Sequence, residues 1–545
     1  MEQKTCKNCG IKFEITNQDF EFYKRMEVLP PTFCPDCRRQ RRLTFRNERN
    51  LYLRNCDFSG KQMITVYSPD SPVKVYHHDI WWSDKWDPKG YGMDFDFSKP
   101  FFDQVQILQN KVPRMSMIIS HCENSDYAPY SVNSRNCYMC VSSNFSEDVS
   151  YSYQTNSSKD CMDCTLSYHC ELCYECIYCV KLYHSFWSIN CNNCSDLYFC
   201  RDCQGCKSCI GCTGLRNKSF YVFNQPSTKE EFENLIKNLI SRSEIDKMSK
   251  TFTEFSDTNP FRSSYLINCE NVSGDHLLNC KNSYYCFEGE GLEDCKYIYT
   301  IPLNAKDCHD CHYSQNGELC YDSISAVNDY NCKFVLHSWD VKNSSYIQEC
   351  YYSSNLFGCI GLRQSKNCIL NKQYSEEEYN DLLSKIIEHL KSTGEWGEYF
   401  DPKLSLFGYN ESLAQEFFHL EKKNAVEKGY YWKEKDSREY KPSTYIVPDD
   451  INAVNDDIIG NILACAECGK NYKIIAQELN FYKKNKIPVP IFCPDCRYKR
   501  RINTRSLKKL WDRACDKCGA EIKTGYPPDG KRIVYCEKCY LETVN

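Results

Sequence analysis

The chain has 545 residues, 40 of them cysteine, with 26% charged residues and a net charge of −5. That length allows three or four domains. No apolar run approaches membrane-spanning length and no apolar signal segment opens the chain, so a soluble cytoplasmic protein with reduced thiols is the expectation. Residues 1–55 carry +5 and residues 461–545 carry +9, which leaves −19 for the middle. Two basic ends flank an acidic body, a polarity that bears on partners.

Residues 1–55 hold Cys6-x-x-Cys9 and Cys34-Pro-Asp-Cys37, 24 residues apart. Four thiolates at two such gaps suit tetrahedral Zn²⁺ with no open position, a structural site whose metal supplies folding energy. Arg38, Arg39, Arg41 and Arg42 follow the second pair. Their run predicts a helix with Cys37 near its N-terminus, where the dipole favours the thiolate. Two readings of these arginines stay open. They contact nucleic-acid phosphates, or they form a solvated face or dock on the acidic middle.

Residues 56–112 read as a degenerate ribbon and aromatic linker domain. Cys56-Asp57-Phe58-Ser59-Gly60-Lys61 matches Cys515-Asp516-Lys517-Cys518-Gly519 near the other end, with Ser59 in a ligand position and His77 and Ile80 near the places of Cys536 and Cys539. A tetrahedral site cannot be completed from Cys56 and His77 alone, so a metal-free relic is expected, its core supplied by Tyr76-His77-His78-Asp79-Ile80-Trp81-Trp82. The sharper alternative is a catalytic His-His-Asp metal site, part of an enzyme built at Tyr76–Asp87.

From Cys122 to Cys368 lie 27 cysteines, 24 of them on one every-third-residue grid. Period 3 fits neither a helix nor a flat strand, and the grid lacks the Gly or Pro of collagen and polyproline. Tyr138, Tyr153, Tyr168, Tyr183 and Tyr198 recur every fifteen residues. The expected fold is therefore mainly β: two Cys-rich β-solenoid blocks (113–226 and 255–374) with fifteen-residue rungs, grid residues pointing inward. Cys212-Thr-Gly214-Leu-Arg216 and Cys359-Ile-Gly361-Leu-Arg363, 147 residues apart, mark the duplication. Cys280, Cys286 and Cys295 sit off the grid, which implies a one-residue loss before them and a gain near Pro302. Ser227-Thr-Lys-Glu230 and Ser375-Glu-Glu-Glu378 read as capping boxes that open a capping helix (227–254) and a helical segment (375–460), each covering the open end of a block.

Fifteen-residue rungs would bring Cys161, Cys164, Cys176 and Cys179 together, and likewise Cys191, Cys194, Cys206 and Cys209. These thiols could be packing, soft-metal ligands, a disulfide ladder or redox groups. His169, His184, His309 and His312 lie off the grid and are expected outside, solvated.

Residues 461–510 repeat the first module with Cys465, Cys468, Cys493 and Cys496, followed by Arg497, Lys499, Arg500 and Arg501. Residues 511–545 add Cys515, Cys518, Cys536 and Cys539, with 17 residues between the pairs. The Cys-x-x-Cys-Gly…Phe-Tyr…Pro…Phe-Cys-Pro-Asp-Cys-Arg pattern resembles the small bacterial "probable zinc-ribbon" family of treble-clef type, over roughly 50 residues at each end. With Tyr67-Ser-Pro-Asp-Ser-Pro72, Trp81-Trp82-Ser-Asp84 and Phe407-Gly-Tyr-Asn-Glu411, the whole layout resembles zinc-ribbon proteins of small-genome, candidate-phyla bacteria. Some of these carry a CoA-transferase name, but the chain has no Gly-rich nucleotide loop or α/β alternation to support it. The resemblance implies zinc ligands and no activity. The expectation is a non-enzymatic scaffold holding three structural Zn²⁺ and binding a protein or RNA assembly, with no membrane and no small-molecule substrate. A metal-handling protein is the alternative.

Overall fold

The computed structural model describes residues 1–299, 308–310, 316–434, 439–505 and 507–544. Its cysteine grid corresponds to a three-residue backbone unit. One residue is extended and bridges to a neighbour, the next is left-handed, and the third points inward. The left-handed residue recurs at every third position, as in Asn136, Met139, Ser142, Phe145, Asp148 and Tyr151, all with φ between 52° and 55°. Each such non-glycine residue costs about 1–2 kcal/mol, so something regular must offset it.

Hydrogen bonding does. Tyr138 N–H donates to the Val149 carbonyl at 3.0 Å, and Tyr151 N–H donates back to the Tyr138 carbonyl at 2.9 Å. Parallel bridges join Tyr138 to Ser150, Ser150 to Met162, Met162 to Tyr174 and Tyr174 to Phe186. The pairing unit is twelve residues, not the fifteen expected from the tyrosines. Fifteen is one twelve-residue repeat plus one three-residue unit, so each successive tyrosine lies one repeat on and one unit further along. Cys161 consequently lies against Cys173, and Cys164 against Cys176.

The inward residue's own N–H also needs a partner, because a buried unpaired amide is costly. It finds the grid side chain one repeat earlier. Cys137 N–H donates to Ser125 Oγ, Cys164 N–H to Ser152 Oγ, and Cys206 N–H to Cys194 Sγ at 3.3 Å. The thiol proton in turn reaches a carbonyl, as from Cys164 Sγ to the Met162 oxygen at 3.5 Å. A grid residue must fit a narrow interior, where Val149, Leu182 and Leu197 also stand; Cys and Ser can in addition accept from the N–H and donate to the C=O.

In the first block, strands Tyr153–Asn156, Thr165–Tyr168, Val180–Tyr183, Asn192–Tyr198, Lys207–Ile210 and Ser219–Val222 pair in parallel in chain order, and Gln225–Pro226 closes the sheet antiparallel. The second block runs to Lys366–Ile369 and closes the same way on Lys372–Gln373. Its register is one residue short at Leu266/Leu277 and Glu270/Lys281, where partners are eleven apart, and recovers at Gly274/Cys286. Gly274, at φ +152°, lies so close to the Cys286 carbonyl that a Cβ would stand 1.7 Å away. This is the expected one-residue loss. His309 pairs with Lys296, thirteen back, so the compensating residue lies between them; Pro302 itself is outside the described residues.

The Lys229–Asn238 helix starts one residue later than read. Thr228 is its N-cap with Glu231 at N3, because Ser227 N–H still donates to Phe220 in the preceding turn. The Glu376–Thr393 helix has the expected Ser375/Glu378 box. Each packs on the last strands of its block through Phe232 or through Tyr379, Ile386 and Leu390. Helix is nearly as abundant as strand, 25% against 29%, so the chain is mixed α and β rather than mainly β.

The two blocks lie side by side and antiparallel. Tyr130 meets His337, while Tyr178 stacks on His276 at 3.8 Å and its hydroxyl reaches Glu288. The cysteine modules cross over. The N-terminal one packs on the second block, with Phe22 stacked on His309 at 3.8 Å and Tyr23 on Tyr321. The C-terminal one packs on the first block, with Tyr482 on Tyr174 and Tyr151 hydroxyl on Glu478. The two modules also touch, since Arg49 lies 3.6 Å above the Tyr498 ring.

Two outcomes follow from this packing. Residues 1–257 and 258–545 produced as separate chains should co-purify as one complex, because each contributes half of both crossed interfaces; size-exclusion chromatography showing two independent folded species would refute the crossover. Asp329 occupies an inward grid position, accepts the Val341 N–H at 2.9 Å, and leaves Oδ2 unpartnered. Burial pushes its carboxyl well above the usual range, so the native state keeps a proton that the unfolded chain loses above about pH 4. Stability therefore falls as pH rises past that value. Asp329→Ser should flatten this slope between pH 4 and 8 and raise the urea midpoint at pH 8 by an amount worth about 1 kcal/mol or more.

Candidate metal centres

Each tetra-cysteine group is assembled from a hairpin turn and a helix start. Glu2–Thr5 pairs with Lys12–Ile15, and the turn between them carries Cys6 and Cys9. Gly10, at φ +74°, returns its N–H to the Cys6 carbonyl. Cys34 is the N-cap of the Pro35–Leu43 helix and Cys37 stands in its first turn, with Cys34 N–H donating to Cys6 Sγ at 3.3 Å. The second group repeats this with Gly469, Cys493 as N-cap of Pro494–Ile502, and Cys493 N–H on Cys465 Sγ at 3.2 Å. In the third, Cys536 N–H donates to Cys515 Sγ at 3.2 Å.

The four sulfurs of each group lie within 4.8 Å of one another. Cys9 and Cys34 sulfurs are 3.7 Å apart, Cys468 and Cys493 3.7 Å, and Cys518 and Cys536 3.8 Å. A tetrahedron with metal–sulfur bonds of about 2.3 Å has an edge of about 3.8 Å. One thiol in each group is also prepared for ionisation, while its neighbours Cys34, Cys493 and Cys539 are pushed up. Burial pushes Cys6 up, but the N–H groups of Cys34, Cys9 and Asn8 outweigh it and bring the pKa down to about 6. Cys465 and Cys515 reach about 6 for the same reason. All three groups could hold a metal ion with four protein ligands and no open position.

The degenerate copy folds like its sibling. Tyr52–Asn55 pairs with Gln62–Thr65 as Trp511–Ala514 pairs with Glu521–Thr524. His77 N–H donates to Cys56 Sγ, and Asp57 accepts the Val75 N–H as Asp516 accepts that of Val534. Ser59 and Ile80 break the ligand set, while Trp81, wholly buried beside Gly361, takes over the packing.

The arginines sit far from solvent. Arg38 and Arg42 pair with Asp310, Arg41 and Arg42 with Asp322, and Arg41 also reaches Glu398. Arg39 lies between the rings of Tyr299 and Phe417, at 4.0 and 4.5 Å. On the other side Arg497 contacts Asp163 at 3.1 Å and Glu478 at 3.2 Å, and Arg501 contacts Asp163 at 2.6 Å. All six are at most 6% exposed. A phosphate cannot reach them, so their reading as nucleic-acid contacts is corrected to docking on the acidic blocks. Lys499 and Arg500 alone of the eight are exposed, and Arg500 is paired with Glu467. The carboxylate partners escaped the sequence reading, although Asp163 and Asp310 are 147 residues apart like the duplicated glycines.

The inner quartets form no closed four-sulfur group, although Cys164 stands beside both Cys161 and Cys176, and Cys206 beside both Cys194 and Cys209. Among the described residues, the groups of three or more close metal-ligating atoms are the three tetra-cysteine sets and His77–His78–Asp79. The twelve-residue repeat separates Cys161 from Cys176 and Cys191 from Cys206, which fifteen-residue rungs would have stacked. Every described cysteine is a free thiol, and burial holds Cys280, Cys286 and Cys350 up at about 12. His169 is exposed, but His184 bonds Asp196 and His309 is buried, where desolvation lowers it to about 3; His312 lies outside the described residues. No helix among the described residues is long and apolar enough to cross a membrane. No protein-family model matches the chain, and no curated protein does either.

Asp163→Asn should cost about 3–5 kcal/mol in urea unfolding, because it leaves Arg501 without its carboxylate and Arg497 with Glu478 alone in a dry interface. Arg500→Ala should change stability by less than about 0.5 kcal/mol. Equal effects would mean that the interface is not held by the buried pairs.

Proposed function

We propose that this chain is a non-enzymatic, zinc-stabilised scaffold whose two repeat blocks are β-solenoids clamped by zinc-ribbon modules, and that it binds a partner protein. Zinc suits four thiolates at tetrahedral spacing, and a site closed by four protein ligands is structural. The observation that carries the reading is the burial of the arginine helices. The strongest positive features of the sequence are used within the molecule, so binding falls to the surfaces left open.

One such surface runs along the first block. Arg135, Glu147, Lys159, Glu171 and Tyr183 are successive bridge partners along one line, with Glu147 paired to both Arg135 and Lys159. Beside it Phe145 is 62% exposed and Tyr183 49%. Mixed charge at a fixed repeat, with exposed aromatics near it, favours a protein partner over a phosphate backbone.

Purified protein should contain three zinc ions per chain, and six or more would favour the metal-handling alternative. A partner captured by the full chain should survive nuclease treatment and be lost with Phe145→Asp plus Tyr183→Asp. Capture that disappears with nuclease, or with Lys499→Ala plus Arg500→Ala, would replace the protein partner by RNA.

A further inference from the structure

We propose that His77, His78 and Asp79 form a fourth metal site, open to solvent, for a divalent transition-metal ion that favours imidazole and carboxylate ligands. The three residues are consecutive, yet their ligand atoms lie within 4.8 Å of one another. The cause is local. His77 is the N-cap of the His78–Trp82 helix, with extended-type angles (φ −53°, ψ 140°), so its ring does not follow the helical rotation. It lies beside that of His78, centroids 4.1 Å apart. Asp79 faces both, with its carboxylate 3.4 Å from His77 Nδ1 and 3.5 Å from His78 Nε2.

Those separations are long for charge-assisted hydrogen bonds, which close to about 2.7–2.9 Å. Each is made through a different oxygen, Oδ2 to His77 and Oδ1 to His78, and each is close to the edge of a tetrahedron with bonds of about 2.1 Å, which is about 3.4 Å. A small turn of the carboxylate therefore presents one oxygen to an ion held by both imidazoles. The far nitrogen of His78 is already positioned, since Ser116 Oγ lies 3.5 Å from Nδ1 and accepts the His78 backbone N–H. Such a partner orients a ligating histidine and leaves its other nitrogen for the metal. The 3.3 Å bond from Asp79 N–H to His77 Nδ1 is the weak contact that an ion would replace.

The sibling module shows that this is not leftover tetrathiolate geometry. There the same three positions are Cys536, Glu537 and Lys538, and a lysine ammonium would repel a cation where Asp79 attracts it. The degenerate copy has lost its inner thiolate set and gained an outer set that keeps the Cys536 position as His77 and adds the next two residues. Three protein ligands leave at least one coordination position to water, the arrangement of an exchangeable site rather than a structural one. Imidazole and carboxylate together suit Zn²⁺, Co²⁺, Ni²⁺ or Cu²⁺ over the soft monovalent ions that thiolates select.

The test is a titration of the zinc-loaded full chain with Co²⁺, followed by visible absorption and metal analysis. One cobalt should bind per chain with weak ligand-field bands and no thiolate-to-cobalt charge transfer, while three zinc ions remain. His77→Gln with His78→Gln should abolish it. Asp79→Asn, at a side chain 79% exposed and so harmless to folding, should weaken it at least tenfold. Absence of cobalt binding to the wild-type chain, or binding unchanged in either variant, overturns the proposal. So does binding that Cys56→Ser removes and the histidine variants do not, which would place the ion in the old inner pocket.

Discussion

Burying a guanidinium is expensive unless a carboxylate meets it in good geometry, and this chain buries six on two short helices. Each helix begins at a cysteine of a tetra-cysteine group, Cys34 or Cys493. The knuckle fixes the helix start, the helix fixes the arginine row, and the row meets Asp310 and Asp322 or Asp163 and Glu478. Asp163 and Asp310 themselves stand at left-handed positions of the repeat, with φ of 54° and 67°, where aspartate is among the residues that tolerate the conformation. Cysteine knuckle, helix and repeat are thus coupled through one interface.

The same interface explains the order of the modules along the chain. Offsets of 459 residues relate Arg38 to Arg497, Arg42 to Arg501 and Phe22 to Phe481, while 147 relates Asp163 to Asp310 and Tyr174 to Tyr321. The two halves of the molecule are copies of one packing scheme, each built from a terminus and the block farther from it. Chain crossover makes both blocks dependent on both ends. A partly unfolded terminus exposes the carboxylate row of the distant block, not of its neighbour in sequence.

Much of this was legible, and the failures have physical causes. The tetra-cysteine sets could be read because a four-sulfur group built from a hairpin turn and a helix start fixes spacing locally. The grid revealed an inward position every third residue, and the one-residue loss before Cys280 appears at Gly274 as a real register change. The rung length was misread because a twelve-residue repeat with a three-residue unit also generates a fifteen-residue diagonal, and the tyrosines happen to follow it. The arginines stayed open between nucleic acid and docking because sequence reports the sign of a charge but not what neutralises it across more than a hundred residues. His309 looked solvated by its grid phase. It does point away from the inner column, but Phe22 from the far terminus covers it.

The interior thiols are best understood by what a different residue would lose. Alanine would fit, but it offers nothing to the inward N–H one repeat later, and an amide stranded in a dry interior costs about 1–3 kcal/mol. Valine or leucine fills more space and fails in the same way. Serine satisfies the amide, as Ser152 and Ser158 do for Cys164 and Cys170, but leaves more empty volume and carries a more polar group into an apolar column. Cysteine combines apolar bulk with a weak acceptor and a weak donor, and a column of many equal positions amplifies that small advantage. The cysteine count of this chain therefore reflects two unrelated demands. Twelve thiols at the ends present four-sulfur groups to a metal, and the inner ones close hydrogen bonds that the three-residue backbone unit leaves pointing at its own axis.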